Sequence, residues 1–289
     1  MPASVFLAGP ASWNRMVLLD RLPEPVPHMQ FAQASWETVG GTSAGKALSL
    51  TALGRPVVLH GTAGEDEDGL RVREALQAAG VVAQWTDGIT ERHLNLMTPR
   101  GERVSLYLST PAETTGEADG AHAAEMAGAD AVVLDLSAEP RRLLPLAVAS
   151  GTPLWVDVHD YDGVGEYHRP FLAAATAVFC NADRLDAPVE FLRAVVAEGA
   201  AFAVCTLGAE GAVAVGADGA EFRVPAVPTT VVDTNGAGDA FFAGVLDARL
   251  GGADLASALS AGARSAAGVL TTRHLHPLLD SILGDPRAA

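Results

Sequence analysis

Val231-Val232-Asp233-Thr234-Asn235-Gly236-Ala237-Gly238-Asp239-Ala240-Phe241-Phe242-Ala243-Gly244 carries an extended apolar run into Gly-Ala-Gly, then an aspartate, then a helical pattern that continues through Leu250. Glycines let a loop aim its N–H groups at one point, and a helix N-terminus adds roughly half a positive charge. The segment therefore predicts an anion hole made by Gly236, Ala237 and Gly238, with Asp239 at the same end. A carboxylate beside such a loop suits phosphoryl transfer: it takes the proton of an attacking hydroxyl while the N–H groups stabilise charge on the transferred group. The same string also reads as a tight turn in which Asp239 merely caps its helix. The rest of the chain has to decide between the two.

Outward from this segment, short apolar runs alternate with Ala- and Leu-rich stretches of helical period. Strands are expected at residues 5–8, 56–60, 81–85, 131–136, 153–158, 177–180, 201–206 and 212–215, and helices at 43–53, 68–79, 140–149 and 188–198. Continuous apolar strands interleaved with helices indicate βαβ units, hence a doubly wound α/β sheet in three α/β/α layers. Period-2 alternation replaces this rhythm in residues 92–98 and 102–109, on either side of Pro99-Arg100-Gly101, and in residues 16–22 and 30–39, joined by a proline-rich link. These four strands predict a small second sheet lying over or beside the large one, about residues 14–39 and 90–110 of a single domain spanning 1–289. A half-apolar sheet without helical cover must bury its face on the substrate, the main domain or a second subunit, which raises the expectation of a homodimer through that sheet.

The 289 residues hold 19 Lys+Arg against 35 Asp+Glu, a formal net charge of −16. That field repels phosphate backbones and anionic lipid, so nucleic acid and membrane surfaces are excluded as partners. No apolar run approaches the roughly 20 residues that span a bilayer, and a cytoplasmic location is expected. Cys180 and Cys205 each end an apolar run without metal-ligand spacing and read as core thiols, residues 116–120 read as an exposed loop, and residues 286–289 read as a fraying tail.

The string DTNGAGDAFFAG resembles the C-terminal signature of the ribokinase or PfkB family of sugar and nucleoside kinases, and the resemblance extends in order along the chain. Gly40-Gly41 and the following helix are similar to the family's GG segment, residues 60–69 to its strand and G-x-D-x-x-G, Asn181 to its Asn after a central strand, and residues 206–211 to its T-L-G-x-x-G loop. The resemblance implies a ribokinase-like fold in which the small sheet is a lid, and transfer of the γ-phosphoryl of ATP, with Mg²⁺, to an alcohol group of a small sugar, sugar derivative or nucleoside. It implies Asp239 as the base, Gly236, Ala237 and Gly238 as the anion hole, and Asn181, Thr206, Gly208 and Gly211 on the nucleotide. Gly40 and Gly41 would approach the acceptor, and Asp233 matches a position that in several members helps hold a monovalent cation such as K⁺. Magnesium is implied by the reaction rather than by any ligand spacing.

Departures concern specificity. Ser12 and Asn14 stand where the family often has an N-x-D pair on the sugar hydroxyls, so the grip of a carboxylate is lost. Gly45 stands where members often carry an acceptor-touching Asn. The N-x-x-E pattern associated with the metal is broken, because Arg184 follows Asn181 at the third place. On the lid, His93 and Asn95 alternate with Leu94 and Leu96 and are candidate acceptor contacts. Trp13, Trp36 or Phe31 could form a slot for a nucleoside base, and a ligand-binding homologue of weak activity is the reading from another class. Asp157, His159, Asp160 and Asp162 read as a polar rim of the cleft. Residues 40–46 also fit the GxxxxGK half of a Walker A loop, but Ala47 replaces the Mg²⁺-binding hydroxyl and the DTNGAGD loop would be left without a purpose. Lys46, the single lysine, is then expected on a helix surface, solvated or in a structural or acceptor contact.

Overall fold

A computed structural model describes residues 4–284. The chain runs β1 (Val5–Ala8), β2 (Ser12–Leu18), β3 (Ala34–Gly40), α1 (Thr42–Ala52), β4 (Val57–Thr62), α2 (Glu67–Ala78), β5 (Val82–Thr86), β6 (Glu91–Met97) and β7 (Arg103–Ser109). It continues through α3 (Asp119–Gly128), β8 (Ala131–Leu134), α4 (Ala138–Ser150), β9 (Leu154–Asp157), α5 (Arg169–Ala174), β10 (Ala177–Asn181), α6 (Pro188–Ala197) and β11 (Phe202–Thr206). It ends with β12 (Ala212–Gly216), β13 (Glu221–Val224), α7 (Ala237–Leu250), α8 (Leu255–Val269) and α9 (Asp280–Leu283).

The large sheet has the order β13-β12-β11-β10-β9-β8-β1-β4-β5. Pairing is parallel from β5 to β11 and antiparallel across β11, β12 and β13. Each parallel strand is a short apolar run because both its faces are covered. On one face Val5, Leu7 and Leu59 pack with Leu48 of α1, Leu76 of α2, Phe242 of α7 and Leu259 of α8. On the other, Phe6, Val132 and Leu134 pack with Met126 of α3, Leu143 of α4, Phe171 of α5 and Leu192 of α6. This is the expected three-layer architecture. β1 neighbours β4 on one side and β8 on the other, so the winding direction reverses between β1 and β8, where open α/β sheets bind their ligands.

The small sheet has the order β3-β2-β6-β7. Its strands begin and end elsewhere than expected: pairing occupies Ser12–Leu18 and Ala34–Gly40, and residues 19–33 form a loop. The proline-rich link, whose Pro23, Pro25 and Pro27 lack the N–H a ladder needs, thus extends further on both sides than expected, with Met29 and Phe31 exposed in it. Helices α3 and α8 and strand β13 lie where no element is expected, and Asp119 and Gly120, expected in an exposed loop, open α3. The expected C-terminal tail of residues 286–289 lies outside the described residues. Cys180 and Cys205 are free and buried, as expected of core thiols. Among the described residues no helix is long and apolar enough to cross a membrane.

Candidate active site

At the winding reversal, three carboxylates from different parts of the chain converge on one ammonium group. Lys46 Nζ lies 2.9 Å from Asp135 Oδ1, 2.9 Å from Asp239 Oδ1 and 3.4 Å from Asp157 Oδ2, and the lysine side chain is 0 % exposed. Asp157 ends β9, Asp135 follows β8 and Asp239 lies in the first turn of α7. Lys46 comes from the second turn of α1, its Nζ 5.0 Å from the Phe242 ring centroid. The expectation for Lys46 is therefore corrected: it is not on a helix surface. α1 is buried from Ser43 through Leu50, wedged between the sheet and α7. Helix α1 starts at Thr42 after Gly41, so the Walker A geometry, with its helix opening at Gly-Lys, is absent.

The three carboxylates are held unequally. Ser43 Oγ–H donates to Asp135 Oδ2 at 2.6 Å, and the His159 backbone N–H donates to Asp157 Oδ1 at 3.0 Å. Among the described residues, Lys46 alone donates a hydrogen bond to the Asp239 side chain. Burial disfavours the charged form of Asp157, yet the nearby His159 and Lys46 hold its carboxyl below the usual range. Burial raises Asp239 from 3.8 to about 6 against the pull of Lys46, with Asp135 adding repulsion. Lys46 itself is raised, because the carboxylates outweigh its burial, and it stays protonated. Carboxyl groups driven apart in this way are the usual sign of an acid–base assignment, and Asp239 is the one able to take and release a proton near neutrality. Its side chain keeps 10 % of its surface open.

Gly236 precedes α7 with φ of +76°, and a Cβ there would strike the Leu275 carbonyl, so glycine is required. Gly236 and Ala237 are half-buried and Gly238 is exposed, so the start of α7 faces an accessible region, with the Ala237 N–H donating to the Thr234 carbonyl at 3.4 Å. Below them Asp233 Oδ1 accepts from the Asn235 backbone N–H at 2.8 Å and from its side-chain amide at 2.6 Å, while burial raises the Asp233 carboxyl. The outer strand of the small sheet reaches this loop, where an Arg103 guanidinium N–H donates to Asn235 Oδ1 at 2.6 Å.

The nucleotide candidates lie along the same sheet edge. Asn181 ends β10 and Thr206 ends β11 as register partners, and residues Gly208–Glu210 form one 3₁₀ turn closed by Gly211. Arg184, in place of the family's acidic residue, lies 3.6 Å from Asp162. On the acceptor side, β2 pairs with β6 so that Ser12 faces Glu91, Asn14 faces His93 and Met16 faces Asn95. This face of the small sheet is buried. Ser12 Oγ–H donates to Asn14 Oδ1 at 2.8 Å, Gly40 packs against the Asn14 amide, His93 pairs with Glu91 at 2.9 Å, and Ser105 donates to Asn95 at 2.6 Å. Gly9, His60, Thr62, Glu91, Ser137 and Glu139 line a cleft beside it. Trp13 points the other way into the main core, Trp36 packs with Met16 and Met97, and Phe31 is exposed, so these rings form no common slot. Of the expected polar rim, Asp157 is buried in the ion cluster and Asp162 turns its own loop by accepting from Val164 and Gly165.

The convergence of Lys46, Asp135 and Asp157 on Asp239 was not read from the sequence. The available signal was a single lysine in a helix otherwise made of small and apolar residues.

A doubly wound α/β sheet with an aspartate in the first turn of a helix at its winding reversal, and a small second sheet beside the cleft, can set a proton acceptor against a bound phosphate donor. The chain belongs to the pfkB family of carbohydrate kinases, whose profile matches residues 19–280. It is 30% identical over 274 residues to the acarbose 7(IV)-phosphotransferase of Actinoplanes sp., covering 90% of this chain and 89% of that one. A microbiome-derived acarbose kinase of known structure shares 30% identity at a TM-score of 0.81, covering 98% of this chain and 99% of that one. The ribokinase of Arabidopsis thaliana, solved with ribose and ATP, has the same fold, with a TM-score of 0.78 at 20% identity, over 100% of this chain and 97% of that one. The protein is a carbohydrate kinase.

Proposed function

We propose that the enzyme transfers the γ-phosphoryl group of ATP to a hydroxyl of an acarbose-like sugar derivative, with Asp239 as the general base. The observation that carries this reading is the Asp239 carboxyl, raised to about 6 by burial, in the first turn of α7 and at the winding reversal of the sheet. In the mechanism, the acceptor hydroxyl meets Asp239, which takes its proton as the oxygen attacks the phosphorus. The N–H groups of Gly236, Ala237 and Gly238 stabilise the charge on the transferred oxygens. Asn181, Thr206, Gly208 and Gly211 receive the nucleotide, and Ser12, Asn14, Gly40, Gly41, Gly45, His93 and Asn95 receive the acceptor. The small sheet acts as a lid that excludes water, with Arg103 on Asn235 linking it to the catalytic loop. The whole chain then works as one catalytic domain.

Magnesium suits this site as an ion carried on the phosphates, because the three cleft carboxylates already converge on Lys46. When bound, it neutralises phosphate charge. Asp233 would take part in a K⁺ site under the loop. ATP as the donor supports a cytoplasmic location. The exposed Val104, Leu106, Tyr107 and Leu108 on edge strand β7 support a homodimer through the lid, to be checked by sedimentation. The polar Ser12, Asn14, Glu91, His93 and Asn95 on the acceptor face, beside Met16 and Trp36, favour a carbohydrate over a nucleoside. Coupled ADP release with ATP and Mg²⁺ over acarbose, fructoselysine, ribose and inosine tests the reading. It predicts turnover with acarbose above the others, and turnover with inosine alone would overturn it.

A further inference from the structure

We propose that Lys46 is a positioning residue for phosphoryl transfer: its buried ammonium fixes the Asp239 carboxylate in the cleft and keeps it ionised for proton abstraction. The inference rests on the reading of Asp239 as the base, and adds a residue that touches neither nucleotide nor acceptor.

The geometry supports this in three ways. First, Lys46 is wholly enclosed and its Nζ is surrounded by Asp135, Asp157 and Asp239, so nothing of it is left for a ligand. It acts through its neighbours or not at all. Second, a buried ammonium is hard to desolvate, and well-packed apolar side chains often replace buried ion clusters with no loss of stability. Three carboxylates around one cation leave an excess of negative charge, an arrangement poorly suited to stability and well suited to holding a proton acceptor. Third, the bond from Lys46 Nζ to Asp239 Oδ1 at 2.9 Å sets the carboxylate rotamer, with Oδ2 against the bare Cα of Gly45. Phe242, one turn further along α7, packs beside the ammonium and holds it toward Asp239.

The charged groups facing Asp239 are Lys46 from α1, Asp135 after β8, Asp157 from β9 and His159 beyond it. Without Lys46, and with His159 left to oppose them, the carboxylates repel Asp239. Its proton affinity must rise, in agreement with the opposing pull of Lys46 on a carboxyl otherwise driven up by burial.

The test is the Lys46→Met variant, followed by two readouts. The first is a ¹³C-carboxyl NMR titration of Asp-labelled protein without nucleotide or acceptor, with the Asp239 signal assigned through Asp239→Asn. The second is the pH profile of kcat with ATP, Mg²⁺ and whichever acceptor of the panel is turned over. A rise of one unit from about 6 makes the loss of ionised base about fivefold at pH 6 and negligible at pH 9. The expected result is therefore an Asp239 midpoint at least one unit higher and an acid limb of kcat displaced by the same amount. The double variant Lys46→Met/Asp135→Asn, which removes one charge of each sign, carries the comparison if the single variant unfolds, and there the displacement is smaller but still upward. An unchanged Asp239 midpoint, or a loss of turnover equal at pH 6 and pH 9, overturns the proposal. Because the titration needs no substrate, failure of every acceptor would count against the kinase reading while leaving the effect of Lys46 on Asp239 measurable.

Discussion

Replacing Asp239 by Asn should stabilise the protein, and more at pH 8 than at pH 5. The native carboxyl is raised from 3.8 to about 6 by burial, against the pull of Lys46. The native state therefore binds this proton more tightly than the unfolded chain does. A native pKa above the unfolded one favours folding at low pH, and that advantage is lost as pH rises from about 4 through about 6. At about 1.36 kcal/mol per unit, ionising Asp239 destabilises the native state by ~3 kcal/mol at pH 8. At pH 5 the native carboxyl is mostly protonated, and the same linkage leaves ~2 kcal/mol. Asparagine resembles the protonated acid and does not titrate. Its advantage over wild type should therefore grow by about 1 kcal/mol between the two pH values. Urea unfolding of both proteins at pH 5 and pH 8 measures this difference, with equal m-values as the check on two-state behaviour. A difference that stays flat with pH, or a variant less stable than wild type at pH 8, would refute the idea that burial of an ionised Asp239 is a standing strain on the fold.

Gly45→Ala would place a methyl carbon 2.5 Å from Asp239 Oδ2, forcing the carboxyl or α7 to move. Overpacking of about 1–3 kcal/mol at this contact should lower kcat roughly 10- to 100-fold, with KM for ATP unchanged in steady-state kinetics. Arg103→Ala removes the link from the lid to Asn235 and should raise the acceptor KM by about fivefold, the worth of one charge-assisted hydrogen bond near the surface. Buried His276 accepts the Leu278 N–H at 3.1 Å through Nδ1, and burial lowers its pKa from 6.5 to about 4. Its contribution to stability is therefore present above pH 6.5 and lost as pH falls toward about 4, and His276→Asn, which can still accept that bond, should flatten this part of the pH–stability curve.

The strands of the large sheet were legible because each is an uninterrupted apolar run, and Val5–Ala8 pairs as β1 where its sequence indicates. Asp239 was legible because glycines and a helix start surround it. The ion cluster was not. Lys46 and Asp239 are 193 positions apart, and their contact depends on how closely α1 approaches α7. Helical periodicity could not show it, since every residue from Ser43 through Leu50 is buried and no exposed stripe marks a face. The small sheet was legible as a sheet but not in its boundaries, because the apolar Met16-Val17-Leu18-Leu19 run draws the expected strand past the point where pairing stops. Asp135 and Asp157 each follow an apolar strand, as many loop aspartates do, and nothing local separates a cleft carboxylate from a turn former.

Phosphate transfer from ATP to the preferred acceptor by wild type and by Asp239→Asn, at saturating ATP and a pH well above 6, isolates the base itself. Loss of general-base catalysis predicts a kcat lower by about a hundredfold to ten-thousandfold with nucleotide affinity retained. An asparagine variant that phosphorylates the acceptor at close to the wild-type rate would show that Asp239 only caps its helix.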